Sequence, residues 1–163
     1  MPGMVEREAG MVEREASAPE PGEARTIVQR IGEHVLSFEP PDLLLGVPCG
    51  SITSSDLHEM IAFIEHHAAG LPYVLVLVDV SELGTVASDV RKASGDLSKA
   101  FPYRGMAFHG ASFQARLFVR LLWNTMNLFS RRDNPAHFAS TEAEARAWLL
   151  ERRRVLNAPG SGS

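Results

Sequence analysis

The chain of 163 residues is 45% hydrophobic and 22% charged, enough for one globular core and short of two. A single cysteine, Cys49, excludes an internal disulfide, and no apolar run reaches the roughly 20 residues that cross a bilayer. The net charge of −4 divides into −3 over residues 1–25, −5 over 26–110 and +4 over 111–163, so the chain lacks the overall basic balance of a nucleic-acid binder.

Residues 1–25 carry "MVEREAG" followed at once by "MVEREAS" and then "APEPGEA". They hold almost nothing to bury and read as a disordered acidic arm; a seven-residue unit present twice is no solenoid. The segment lacks the basic-then-apolar order of a secretory signal, so a cytoplasmic protein is expected. One domain is expected over 26–157, with 158–163 a flexible tail.

Within the domain the hydrophobic period switches repeatedly. "TIVQRIG" reads as a short strand, "HVLSFEP" alternates, and "DLLLGV" follows Pro40–Pro41 as an antiparallel partner. "TSSDLHEMIAFIEHHAAG" reads as a helix. Thr53 and Asp56 form a capping-box pair, Leu57, Met60, Ile61 and Ile64 make one stripe, and Gly70 stops it. "YVLVLVDV" is an unbroken aliphatic run, the pattern of a central strand covered on both faces.

Residues 86–100 predict a weaker helix, with Val90, Ala93 and Leu97 inward and Gly95 unfavourable. "YRGMAFHG" predicts a strand, 112–129 a long helix, and "PAHFAS" a short strand. "TEAEARAWLLERRR" is the last helix, opened by Thr141 and Glu144 and closed by three arginines suited to its negative end. Strands alternating with helices at this spacing imply a mostly parallel sheet with a hairpin strand at one edge.

Two stretches carry a family resemblance. "GSITSSDLHEMIAFIEHH" is similar to the Gly-x-Ile/Leu turn and helix of STAS domains, and "LVLVDVSELGTVASD" resembles their strand-Asp-Leu-Ser segment running into a helix. The back half, "RGMAFHGASFQARLFVRLL" through "PAHFASTEAEARAWL", resembles the SpoIIAA-like branch, which shares features with CRAL-TRIO lipid-transfer domains. The match spans roughly residues 30–155 as ordered motifs. It implies the fold of anti-sigma-factor antagonists and a partner surface around the turn from Ser81 to Asp89. Laying Asp79 and Ser81 on the family's Asp-Leu-Ser puts Ser88 on its first helix-start serine. Asp89 then falls on the phosphorylatable position and Val90 where glycine is expected. A carboxylate cannot be switched by a kinase, so the resemblance implies a permanent anion or an abandoned site.

Other candidates have simpler readings. Asp79 ends a buried strand and is expected to accept N–H groups of the following turn with help from Ser81; contact with a ligand is the alternative. Thr85 and Ser88 are helix-cap candidates. "HGASFQ" is similar to a hydrolase nucleophile elbow, but Gln114 replaces the second glycine, and Asp133 and His137 lie only four residues apart. Ser112 is therefore expected as an N-cap. His58, His66 and His67 include no i, i+4 pair for zinc, Cys49 reads as a small buried hydrophobe, and "GVPCGS" is no phosphate loop.

The helix at 112–129 is apolar over about 240° of arc, broken only by Arg116, Arg120, Asn124 and Asn127, whereas a helix on a sheet needs about 100–140°. The excess must meet a neighbouring helix, a second copy, or an apolar ligand or membrane surface.

The sequence thus predicts a single α/β domain, STAS-like (SpoIIAA-like), with a mixed, mostly parallel sheet of four or five strands and four helices. The expected function is non-enzymatic regulation or scaffolding through protein contacts at Ser81, Thr85, Ser88 and Asp89. The alternative is a carrier or sensor of an apolar, lipid-like ligand. Phe113, Phe118, Val119, Leu122, Trp123, Met126 and Phe129 form the ligand surface, which would equally serve a homodimer. No catalytic set, metal or cofactor is expected.

Overall fold

The computed structural model describes residues 25–93, 101–127 and 133–160. In chain order it forms β1 (Ile27–Ile31), β2 (His34–Glu39), β3 (Leu43–Val47), β4 (Gly50–Ile52), α1 (Ser54–Ala68), β5 (Val74–Asp79) and β6 (Leu83–Val86). Helix α2 follows, described over 88–93, then β7 (Tyr103–His109), α3 (Phe113–Asn127), β8 (Ala136–Phe138) and α4 (Glu142–Leu156).

Six strands form one sheet in the order β1-β2-β3-β5-β7-β8. The pairs β1–β2 and β2–β3 are antiparallel, and β3–β5, β5–β7 and β7–β8 are parallel. The sheet is wider than the four or five strands expected, because residues 27–31 pair along their whole length with β2, Ile27 opposite Phe38 and Ile31 opposite His34. A three-stranded meander thus stands where one edge hairpin was expected.

Strand β5 occupies the centre, as its continuous aliphatic sequence requires. Val74, Leu75, Val76 and Leu77 are all buried, with successive side chains feeding opposite faces. Each is worth about 1.5–3 kcal/mol only when fully covered, so a strand of this composition is driven inward from both sides. On one face Val74 and Val76 pack with Phe38, Leu44 and Phe63 of α1, while Phe108 and Val80 pack with Val119 and Trp123 of α3. On the other face α4 lays Ala145 and Leu149 on Leu43, Leu75, Leu77 and Ala107.

The helix signals act as the sequence indicates. Thr53 caps α1 in a full box with Asp56, and Gly70, just past the end of α1, adopts φ +75°. Thr141 caps α4 by accepting from the Glu144 N–H, but the Glu144 carboxylate reaches back to the N–H of Ser140, one residue earlier than a box requires.

The terminal arginines of α4 do more than sit at a negative helix end. Arg152 bonds the Arg104 carbonyl and the Asp133 carboxylate, Arg153 clasps Asp42, and Arg154 pairs with Glu151. About two turns earlier Arg146 makes two parallel 2.9 Å bonds to Glu39. Two carboxylates of the acidic front, Glu39 and Asp42, are thus answered by arginines of the back.

Leu97, Gly95, Phe129, the acidic arm before residue 25 and the last three tail residues lie outside the described residues. Among the described residues no helix is long and apolar enough to cross a membrane.

Candidate functional site

The carboxyl ends of β5 and β7 meet at a tight turn. The Asp79 carboxylate accepts the Ser81 N–H at 2.9 Å, and the Val80 N–H bonds the His109 carbonyl at 3.0 Å. Burial alone would raise the Asp79 carboxyl; hydrogen bonds from Ser81, with His109 nearby, outweigh it and hold the group below its ordinary value. Gly110, at φ +75°, closes against this turn: a Cβ there would lie 2.7 Å from Asp79 Oδ1 and 2.9 Å from Ser81 Cβ. This is the turn-stabilising role expected for Asp79.

Beyond the turn, β6 pairs with β4 as a separate parallel ribbon, Gly50 opposite Leu83 and Ile52 opposite Val86. The strands come so close that a Cβ on Gly84 would stand 2.8 Å from the Gly50 carbonyl carbon. On the outer side the hydroxyls of Ser51 and Thr85 are 3.3 Å apart. Helix α2 starts directly from β6, with the Ala87 carbonyl accepting the Arg91 N–H at 3.0 Å. Ala87 therefore occupies the cap; Thr85 stays in the ribbon and Ser88 opens the first turn, so neither is the cap expected of it.

Asp89 then reaches across to α1, where its Oδ2 accepts the Ser54 hydroxyl at 2.7 Å. That hydroxyl, followed by the Val90 N–H, holds the exposed Asp89 carboxyl below its usual range. Ser81, Thr85, Ser88 and Asp89 all lie exposed along one polar rim, which joins the first turns of α1 and α2.

Behind this rim lies a cluster that the sequence analysis missed. His34 is 3% exposed; its Nδ1 accepts the Cys49 N–H at 3.0 Å, which leaves the ring proton on Nε2, 3.5 Å from Asp56 Oδ2. Asp56 is held ionised chiefly by the Thr53 hydroxyl and N–H, at 2.6 and 2.9 Å. The signal for an inward His34 was available, since it shares strand parity with buried Phe38. Cys49 is half-buried rather than a core hydrophobe. His67 is half-buried on α1: it stacks on Phe38 and tilts against Phe63, and burial lowers its pKa.

Two apolar cavities adjoin this region, the second of them directly beneath the rim. One, of about 200 Å³, lies between the sheet and α1; the other, of about 210 Å³, lies beneath β6, α2 and α3. They share Pro48, Ile52, Val78 and Met106 as a common wall. Leu83, Val86 and Val90 point into the second cavity while Thr85, Ser88 and Asp89 face outward, so β6 and the start of α2 form a thin roof with one greasy and one polar side.

Of the apolar residues singled out on α3, Val119 and Trp123 turn inward to line this second cavity, and Phe113 lies on the outside. The side chains of Phe118, Leu122 and Met126 lie outside the described residues. Ser112 caps α3, accepting the Ala115 N–H at 3.2 Å with its hydroxyl. Asp133 and His137 are engaged on the opposite face of the sheet, Asp133 with Arg152 and His137 stacked on Trp148. They are not assembled with Ser112. Among the described residues no cluster of His, Cys, Asp and Glu is arranged to hold a metal ion.

No family model matches the chain, and no curated protein matches it. A solved structure does: an uncharacterized protein of the DUF3478 family with a SpoIIAA-like fold, from Shewanella loihica. The match covers 76% of this chain and 93% of that one at 19% identity, with a TM-score of 0.54. The fold is SpoIIAA-like.

Proposed function

With that fold as premise, we propose that the chain is a non-enzymatic regulatory domain acting through protein contact, and that Ser81, Thr85, Ser88 and Asp89 form the contact rim. The observation that supports this reading is the Ser54–Asp89 bond, which ties the first turns of two helices together and fixes an exposed carboxylate at 2.7 Å. A carboxylate held in one place offers a partner a pre-organised acceptor, for which little side-chain freedom is lost on binding. Where a phosphorylatable member of the resembled family would switch, this rim is a constant anion.

The reading is tested by recovering partners with the wild type, with Asp89→Lys and with Thr85→Arg. Both positions are exposed, so the fold should survive while the partner is lost: Thr85→Arg should leave thermal stability nearly unchanged, and Asp89→Lys, which gives up the Ser54 bond, should lower it modestly. Retention of the same partner by both variants would remove the rim from consideration.

A second reading, carriage or sensing of an apolar ligand, is favoured by the two neighbouring cavities with their common wall. Each is below the about 300 Å³ at which ligand sites begin, whereas a ligand spanning the shared wall would fall within that range. The two readings are compatible: an occupant beneath Leu83, Val86 and Val90 would press on the roof whose outer side is the rim. Native mass spectrometry of protein purified without detergent should then show a bound apolar small molecule, displaced by Val78→Phe in the shared wall. An empty wild type would leave protein contact alone.

A further inference from the structure

Helix α3 shows the solvent the opposite of what an amphipathic helix should. Val119 and Trp123 face the sheet, yet Phe113, Leu117 and Leu121 are 85%, 64% and 66% exposed. At about 100° per residue these three fall within one 80° sector of the helix, turned well away from the buried pair. A spacing of i, i+4, i+8 makes them a stripe roughly 12 Å long at the usual rise per residue.

The charges beside the stripe are of one sign. From Gly110 to Arg132 the sequence has four arginines and no carboxylate. The arginines of α4 are held by Glu39, Asp42, Asp133 and Glu151, whereas among the described residues neither Arg116 nor Arg120 meets a carboxylate. The Arg120 guanidinium lies over the Phe138 ring at 5.3 Å from its centroid, and Arg116 Nε is buried without a hydrogen-bond partner.

We propose that this outward face of α3 docks on an anionic lipid bilayer, with Phe113, Leu117 and Leu121 entering the headgroup–acyl boundary and exposed Arg120, beside the stripe, pairing with headgroup phosphates. A helix with an apolar stripe and cationic flanks lies in the plane of such an interface, and basic residues are drawn by its negative potential. A second copy is the poorer occupant, because a twofold contact through α3 would set the unneutralised arginines of both chains together. A stripe of three side chains is also small beside the roughly 800 Å² per partner of a stable protein interface. Neither the rim nor the cavities take part in this docking.

The test is co-sedimentation of the full chain with vesicles of equal parts phosphatidylglycerol and phosphatidylcholine, and with phosphatidylcholine alone. Binding should occur on the anionic vesicles and weaken as salt is raised. The double variant Phe113→Ser, Leu117→Gln should lose about tenfold or more in partitioning, and Arg120→Gln about fivefold, with circular dichroism unchanged. Equal binding to both vesicle types, binding to neither, or wild-type partitioning of the double variant would overturn the proposal. So would a stable dimer in sedimentation equilibrium that the double variant abolishes, which would assign the stripe to a second copy.

Discussion

The guanidinium of Arg153 clasps the carboxylate of Asp42, Nη2 standing 2.6 Å from Oδ1 and Nε 3.0 Å from Oδ2. Asp42 is 5% exposed, at the start of β3, and Arg153 arrives from the last turn of α4. Removing one member of such a pair strands the other charge away from water. Arg153→Ala should therefore cost about 2–4 kcal/mol in urea unfolding, toward the low side of a fully buried pair because the arginine keeps some solvent. The double variant Asp42→Leu, Arg153→Met should lose less than the single one. A double variant that loses as much would show that the cost lies in packing rather than in a stranded charge.

Acid should unfold the domain in two windows. His67 has its pKa lowered below 6.5, first by burial and then by His66. A base whose folded value is depressed contributes stability that is complete above the unfolded value and is lost as pH falls through the folded one. Glu39 is lowered below 4.5 by its Arg146 hydrogen bonds, against the opposing effect of burial, and the same sign applies. Stability followed from pH 8 to 3 should fall first below about 6.5 and again below about 4.5. His67→Phe should flatten the first decline and Arg146→Gln the second. A variant that leaves its own window unchanged would contradict the assignment.

Gly110 and Gly70 share a φ of +75° but differ in surroundings. A Cβ at Gly70 meets nothing within 4 Å, whereas one at Gly110 collides with Asp79 and Ser81. Gly70→Ala should cost about 1 kcal/mol, the backbone penalty alone. Gly110→Ala should cost at least about 1 kcal/mol more, since the turn at the end of β5 must move. Equal thermal shifts for the two variants would mean that the turn yields freely.

His34→Leu should destabilise the domain by about 1–3 kcal/mol, because the Cys49 N–H loses its acceptor in a partly buried place. Hydrogen exchange provides the local readout: the Cys49 amide should lose protection in the variant, and a protected amide would show that another acceptor takes over.

The sheet and helices were readable wherever one pattern ran long enough. The eight residues from Tyr73 to Val80 could only be a central strand, and Thr53 with Asp56 announced α1 because capping is local chemistry. The β4–β6 ribbon was not readable. It consists of three and four residues, mostly polar outside, and is defined by Gly84 coming against Gly50 across the fold. The rim was found only as a string of hydroxyls and acids. That Asp89 reaches Ser54 depends on two helices starting side by side, which spacing along the chain does not encode. Glu39 and Asp42, the partners of Arg146 and Arg153, were hidden for the same reason, being 107 and 111 residues away in sequence.

The meander at the front of the sheet pairs residues no more than twelve positions apart, so it closes only short loops and is the part best able to form early. Its carboxylate at Asp42, however, has to wait for a guanidinium 111 residues downstream. On a ribosome these strands are thus made early and made comfortable last, and a chain released before α4 would carry an inner strand with an unanswered charge at its start.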